Sequence, residues 1–88
     1  MKVIDIYNFL DSIAPFNTAL PFDNAGLLVG EGQKEVKKIG VILDVTPEAV
    51  EYAAQNGIDL IVSHHPVIFN PLKRLQTDSV PYLLAKHD

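Results

Sequence analysis

Two adjacent histidines, His64 and His65, stand at the end of an apolar run and are followed directly by Pro66. Neutral imidazole is the commonest protein ligand for zinc, iron and related ions, so this pair could belong to a metal site. Adjacent residues of a regular strand point to opposite faces, and both rings could serve one site only if the backbone turns there. Pro66 favours such a turn because it restricts the conformation of His65. With that turn, the two rings could serve a pair of neighbouring ions, each taking one imidazole.

Other roles for these residues stay open at the level of the sequence. The two histidines could be polar residues at the rim of a sheet, hydrogen-bonded to backbone carbonyls. Asp44 follows an earlier apolar run and is expected at the same sheet edge, which favours a site. Asp44 could instead cap the next helix, since it lies just before Thr46. His87 is interpreted as a solvated residue at a helix end, where its charge would suit the helix dipole.

A strand–helix–strand unit is predicted to position these side chains. Residues 36–44 predict a strand, strongest over Ile39–Leu43, and a second strand is predicted from Ile58 to Val62 or Ser63. Thr46 is a good N-cap for a helix running from Pro47 to Asn56, and Gly57 supplies a left-handed end. This spacing fits a βαβ unit with parallel strands. Ligands collect beyond the carboxyl ends of such strands, where Asp44 and the histidine pair would lie.

The rest of the chain surrounds that unit. The predicted segments are a helix over 3–14, an irregular loop over 15–26, an apolar run at 27–30, a turn at 31–35, a loop over 66–78 and a final helix over about 79–86. The runs VILDV and IDLIV lack alternation, which predicts strands covered on both faces. The helix after the first strand should turn Ala49, Val50 and Ala53 inwards. The predicted fold class is α/β, in one domain spanning residues 1–88.

Composition narrows the functional classes. The 88 residues are 48% apolar and 20% charged with a net charge of −4, which argues against a nucleic-acid or anionic-membrane surface. Because the chain has no cysteine, it has neither a disulfide framework nor a thiolate metal site. No apolar stretch is long enough to span a membrane, and the N-terminus lacks a signal-peptide pattern. A cytoplasmic protein is therefore expected.

Three motifs, in this order and spacing, resemble those of the GTP cyclohydrolase I type 2 homologues, also called the NGG-interacting-factor-like proteins. They are PFDNAGLLVG (21–30), ILDVTPEAV (42–50) and DLIVSHHPVIFNPLK (59–73). Phe22 stands where that family usually has tryptophan. The resemblance covers nearly the whole chain.

The resemblance implies a metal-binding α/β protein that assembles as a ring-shaped hexamer and holds two ions, with zinc or iron expected. It carries the role of metal ligand over to His64 and His65. The family's other ligands are an Asp in an H-T-N-x-D motif and a His and a Glu in an H-x-x-x-E motif, and this sequence contains neither motif. We therefore expect an N-terminal portion of the family's α/β domain, either a truncated chain or a naturally short relative.

Three functional hypotheses follow. The chain could belong to a metal-dependent hydrolase of a nucleotide or related small molecule, although the substrate is unknown and no catalytic residue can be named. It could be a metal-binding or metal-delivery protein without turnover. It could also be a non-catalytic scaffold or interaction protein. We further expect self-association, because an unpaired strand edge and uncovered apolar surface invite pairing with another copy.

Overall fold

Two short parallel strands joined by a helix form the centre of the fold. A computed structural model describes residues 1–16 and 24–88. Its elements in chain order are α1 (Val3–Ile13), β1 (Ile39–Ile42), α2 (Pro47–Gln55), β2 (Leu60–Ser63) and α3 (Val80–His87). Within the described ranges, β1 and β2 form one two-stranded parallel sheet. The predicted α/β class and the parallel strand–helix–strand unit are confirmed.

The register of the two strands is anchored at their amino ends. Ile39 pairs with Leu60, and Ile42 pairs with Ser63. Just before these pairs, the Asp59 carboxylate accepts hydrogen bonds from the backbone N–H groups of Lys37 and Lys38, at 2.9 and 3.1 Å. A register fixed here also determines which residues lie side by side at the other end of the sheet.

Local sequence signals define both ends of α2. The Thr46 hydroxyl accepts a hydrogen bond from the backbone N–H of Ala49 at 3.1 Å, as expected for an N-cap. At the other end Gly57 has a φ of +67°. The backbone N–H of Ile58 reaches the carbonyl oxygen of Ala53 at 3.0 Å, the bond expected in a Schellman ending. These signals make α2 begin shortly after β1 and end shortly before β2.

Apolar side chains from several segments form the core. Val3, Ile6 and Val36 are buried together, and the partly buried Leu10 and Leu60 pack against them. Leu60 thus links β2 to the cluster that Val36 forms with two side chains of α1. On α2 the predicted inner stripe is largely confirmed: Val50 and Ala53 are buried, and Ala49 is half-buried.

The prediction that both strands are covered on both faces is wrong for β1. Exposure alternates along this strand, and Val41 is 82% exposed. Ile39 and Leu43 are also exposed. Leu60 of β2 is paired with Ile39 of β1, and paired residues of neighbouring strands point to the same face of a sheet. Leu60 packs against the buried cluster of Val3, Ile6 and Val36. Among the described residues, this face of the sheet is therefore covered at β2 and exposed at β1.

Element boundaries differ slightly from the predicted ones. The first strand begins at Ile39 rather than at residue 36 and ends at Ile42, because the chain bends at residues 43 and 44 before α2. Ser79 is the N-cap of α3, and its hydroxyl accepts from the backbone N–H of Tyr82. The helices found in residues 1–16 and 24–88 are too short or too polar to cross a membrane.

Candidate functional site

The backbone bends at the histidine pair, immediately after β2. The N–H groups of His64 and His65 donate to the carbonyl oxygens of Ile42 and Leu43, each at 3.0 Å. In a regular strand, successive N–H groups point to opposite sides, so they could not both reach the same neighbour. Both residues are assigned to a bend. The turn that the sequence requires for a shared site is therefore present.

The bend brings the two imidazole rings together. The ring centroids of His64 and His65 are 4.8 Å apart, and the ring planes cross at 78°. Such a separation places the rings side by side rather than on opposite faces of the strand. The Ser63 hydroxyl donates to the carbonyl oxygen of His65 at 2.8 Å, which holds the backbone of the bend. Both histidines are exposed, so an external ligand can approach them.

Asp44 lies at the same sheet edge and contacts the second histidine. Its Oδ1 atom is 2.5 Å from Nδ1 of His65. The two side chains are 62% and 55% exposed, respectively. The alternative role of Asp44 as a helix cap does not apply, because Thr46 caps α2. The strand register explains the contact: Asp44 and His65 each follow the paired residues Ile42 and Ser63 by two positions.

A cleft of about 890 Å³ adjoins the histidine pair. Its walls come from α1, the segment 24–31, α2, β2 and the end of α3, and the imidazoles of His64 and His65 contribute to them. The common position of Asp44 and the histidine pair at one sheet edge predicts a polar cavity that they share. Most of the described lining is instead apolar, and Asp44 does not contribute to it. His65 therefore lies between an apolar cleft on one side and a carboxylate on the other.

Asn24 is a residue of this region whose role the sequence did not reveal. Its Nδ2 atom donates to the backbone carbonyl oxygen of Ile68 at 2.6 Å. The bond joins the first motif to the loop that follows the histidine pair. The sequence showed Asn24 as part of the motif PFDNAGLLVG but did not indicate its hydrogen-bond partner.

His87, the third histidine of the chain, lines the same cleft. His87 occupies the last turn of α3, as predicted. Its ring also contacts a carboxylate, since Nε2 lies 3.0 Å from Oε1 of Glu51 on α2. Asp23 and Phe22 fall outside the described residues. Across ranges 1–16 and 24–88, no group of three or more His, Cys, Asp and Glu side chains is arranged to hold a metal ion.

Sequence comparison assigns the chain to a family. Residues 1–87 match the family described as Duf34/NIF3 (NGG1p interacting factor 3). The chain belongs to the Duf34/NIF3 family. The resemblance seen in the three sequence motifs is thereby confirmed.

Individual members of the Duf34/NIF3 family are considerably longer than this chain. It is 41% identical over 80 residues to a GTP cyclohydrolase 1 type 2 homolog of Clostridium perfringens, covering 91% of this chain and 30% of that protein. A homolog of the same name from Campylobacter jejuni is 38% identical over 86 residues, covering 98% of this chain and 35% of that protein. The chain thus spans about a third of the length of these relatives.

A solved structure supports the same fold assignment. The crystal structure of Staphylococcus aureus protein SA1388 superimposes with a TM-score of 0.88 at 38% sequence identity. The match covers 99% of this chain and 28% of that one. The helices and parallel strands described above therefore correspond to a fragment of the α/β fold found in this family.

Proposed function

We propose that this chain binds a divalent metal ion, zinc or iron, through His64 and His65. The observation that carries the proposal is the bend after β2, which places two exposed imidazole rings 4.8 Å apart at the carboxyl end of a parallel strand. Ligand sites of open α/β sheets are found at this end. A rim role would need only hydrogen bonds to nearby carbonyl groups, and it would not require the rings to lie side by side.

The donor set fits a metal ion as two members of a larger set. Imidazole nitrogen suits zinc and iron, and zinc sites usually combine three or four protein ligands. The described residues supply the two imidazoles of His64 and His65 but no group of three ligands. Water, or groups outside the described residues, would complete the coordination. The proposal therefore concerns the two ligands that His64 and His65 contribute to the site.

We further propose that the complete family protein is a metal-dependent hydrolase, acting on a nucleotide or a related small molecule. When bound, a divalent ion supplies water activation and neutralises developing negative charge. In this chain, His64 and His65 would hold the ion and the Ser63 hydroxyl would hold the backbone of the bend. The apolar cleft beside the imidazoles could accept the less polar part of a substrate.

Calorimetric titration with zinc tests the metal proposal. The wild-type chain is compared with a double variant, His64→Ala with His65→Ala, and with His87→Ala as the matched control. We expect the binding heat to disappear in the double variant and to persist in the control, because the His87 imidazole is paired with the Glu51 carboxylate. Equal heats for the wild type and the double variant would refute the role of the pair as ligands.

Turnover requires a separate assay. A panel of nucleotides and cyclic amides is incubated with the chain, with and without added zinc or iron. Hydrolysis that depends on the metal and on His64 and His65 would support the hydrolase. Zinc binding without turnover in the chain, and in a full-length relative, would instead support a metal-binding or metal-delivery protein.

The exposed face of β1 favours a second candidate function, that of an assembling scaffold. Ile39 and Val41 on this strand, and Leu43 directly after it, have exposed apolar side chains. Contiguous apolar surface next to an unpaired strand edge favours pairing with another copy of the chain. We propose a homo-oligomer in the cytoplasm, with a hexamer expected for the complete family protein.

Analytical ultracentrifugation tests this assembly. Val41→Lys should shift the chain towards monomer, because a charge would be buried at the contact. Phe9→Lys, which changes an exposed apolar side chain on α1, is the matched control and should leave the distribution unchanged. A wild-type chain that stays monomeric at high concentration would contradict the proposal.

A further inference from the structure

We infer that Asp44 is a positioning residue that holds the His65 ring in the tautomer with its proton on Nδ1. The inference rests on the proposed metal function, because the tautomer determines which nitrogen of His65 can bind an ion. The observation behind it is the contact between Oδ1 of Asp44 and Nδ1 of His65.

The chemistry of the two groups fixes the direction of this bond. A neutral imidazole carries a proton on one nitrogen and a lone pair on the other, whereas an ionised carboxylate only accepts hydrogen bonds. Nδ1 must therefore donate to Asp44, and the lone pair must lie on Nε2. Histidines that bind metals commonly donate their second nitrogen to a carboxylate in this way, which fixes the tautomer and raises the basicity of the ligand.

The backbone supports the same arrangement. The N–H of His65 donates to the carbonyl oxygen of Leu43, the residue before Asp44. This bond continues the strand pairing past Ile42 and Ser63, so the main chain itself brings the carboxylate beside the ring. The sheet therefore places the two residues side by side, and the short Asp44 side chain reaches Nδ1 of His65 from there.

His87 provides an internal contrast. Its Nε2 atom, and not Nδ1, faces a carboxylate, that of Glu51. The same reasoning therefore assigns the opposite tautomer to His87, with the proton on Nε2. One chain thus contains two carboxylate-paired histidines with opposite expected protonation patterns, which makes the assignment measurable without a metal.

Nitrogen-15 NMR of the imidazole rings in the metal-free chain tests the inference, at a pH above the imidazole range. We expect the pattern of an Nδ1–H ring for His65 and that of an Nε2–H ring for His87. Asp44→Asn should shift only His65 towards a mixture, because the amide can also donate to Nδ1. Glu51→Gln should affect only His87. An Nε2–H pattern for His65 in the wild type would overturn the inference, whatever the chain does with metals.

Zinc calorimetry supplies the second readout. If Asp44 acts through His65, Asp44→Asn should weaken zinc binding by about 10–100-fold while Glu51→Gln leaves it unchanged. A loss of affinity without a change in the His65 tautomer would identify Asp44 as a direct ligand and overturn the positioning role. An Nδ1–H ring in a wild-type chain that binds no zinc would refute the proposed metal function but leave the tautomer assignment intact.

Discussion

Asp59 and Lys38 form two hydrogen bonds with each other at the amino end of the sheet, and each residue donates one and accepts one. The Asp59 carboxylate accepts from the backbone N–H of Lys38 at 3.1 Å, and the backbone N–H of Asp59 donates to the carbonyl oxygen of Lys38 at 2.8 Å. The same carboxylate oxygen also accepts from the N–H of Lys37. These bonds align β1 with β2, and the alignment places Asp44 beside His65 six residue pairs further along.

Acid should weaken the fold through Asp59. The N–H groups of Lys37 and then Lys38 hold the pKa of its carboxyl below the ordinary value of about 4. A lowered folded-state pKa stabilises the fold above the unfolded pKa, and this contribution is lost as the pH falls from about 4 through the folded value. Asp59→Asn should remove that part of the pH dependence, as measured by urea unfolding at a series of pH values.

The matched control for this experiment is Asp78→Asn, which changes an exposed carboxylate in the loop before α3. We expect the control to follow the wild-type curve. If the slope of unfolding free energy against pH is the same for Asp59→Asn and the wild type below about pH 4, the assigned role of Asp59 is wrong.

The sequence predicted the site region because its signals are local. Thr46 and Gly57 mark the ends of α2, and the apolar runs on either side mark two strands whose helical connection is typical of parallel pairing. From that topology, Asp44 and the histidine pair had to share one sheet edge. The contact with Nδ1 of His65 was not predictable, because it depends on a register set by Asp59.

The exposure of β1 could not be predicted for a different reason. The run around Val41 has no alternation, which is typical of a strand covered on both faces. Whether a face is covered depends on elements distant in the sequence, and α1 reaches Leu60 but not Val41. The bond from Asn24 to Ile68 is similarly long-range, since 44 positions separate the two residues.

Thr46→Ala should destabilise the chain by about 1 kcal/mol, because the N–H of Ala49 loses its acceptor at the start of α2. Thr46→Ser keeps a hydroxyl at the same position and should retain most of the stability. Thermal unfolding followed by circular dichroism would show the difference. Equal midpoints for the alanine and serine variants would mean that the cap contributes nothing.

Asn24→Ala should loosen the loop after the histidine pair while leaving the sheet intact. The partly buried carbonyl of Ile68 loses a donor at 2.6 Å, a loss of about 1 kcal/mol for a typical hydrogen bond. Hydrogen exchange by mass spectrometry should therefore speed up in peptides covering residues 66–78 and stay unchanged in β1. Asn56→Ala, which removes a side-chain bond to Tyr52 at the end of α2, is a suitable control. Uniform acceleration in both variants would indicate general destabilisation instead.

Zinc should bind to this chain weakly and should bind less as the pH falls. His64 and His65 supply two ligands, whereas zinc sites normally use three or four, so water would have to fill the remaining positions. Protons compete with the ion for the same imidazole nitrogens, so the affinity should fall as the pH is lowered. Calorimetric titrations at a series of pH values, repeated with the double alanine variant, would measure both effects. Tight, stoichiometric binding to a monomer would contradict this expectation and would require further ligands, with Asp44, Asp23 and His87 the first to substitute.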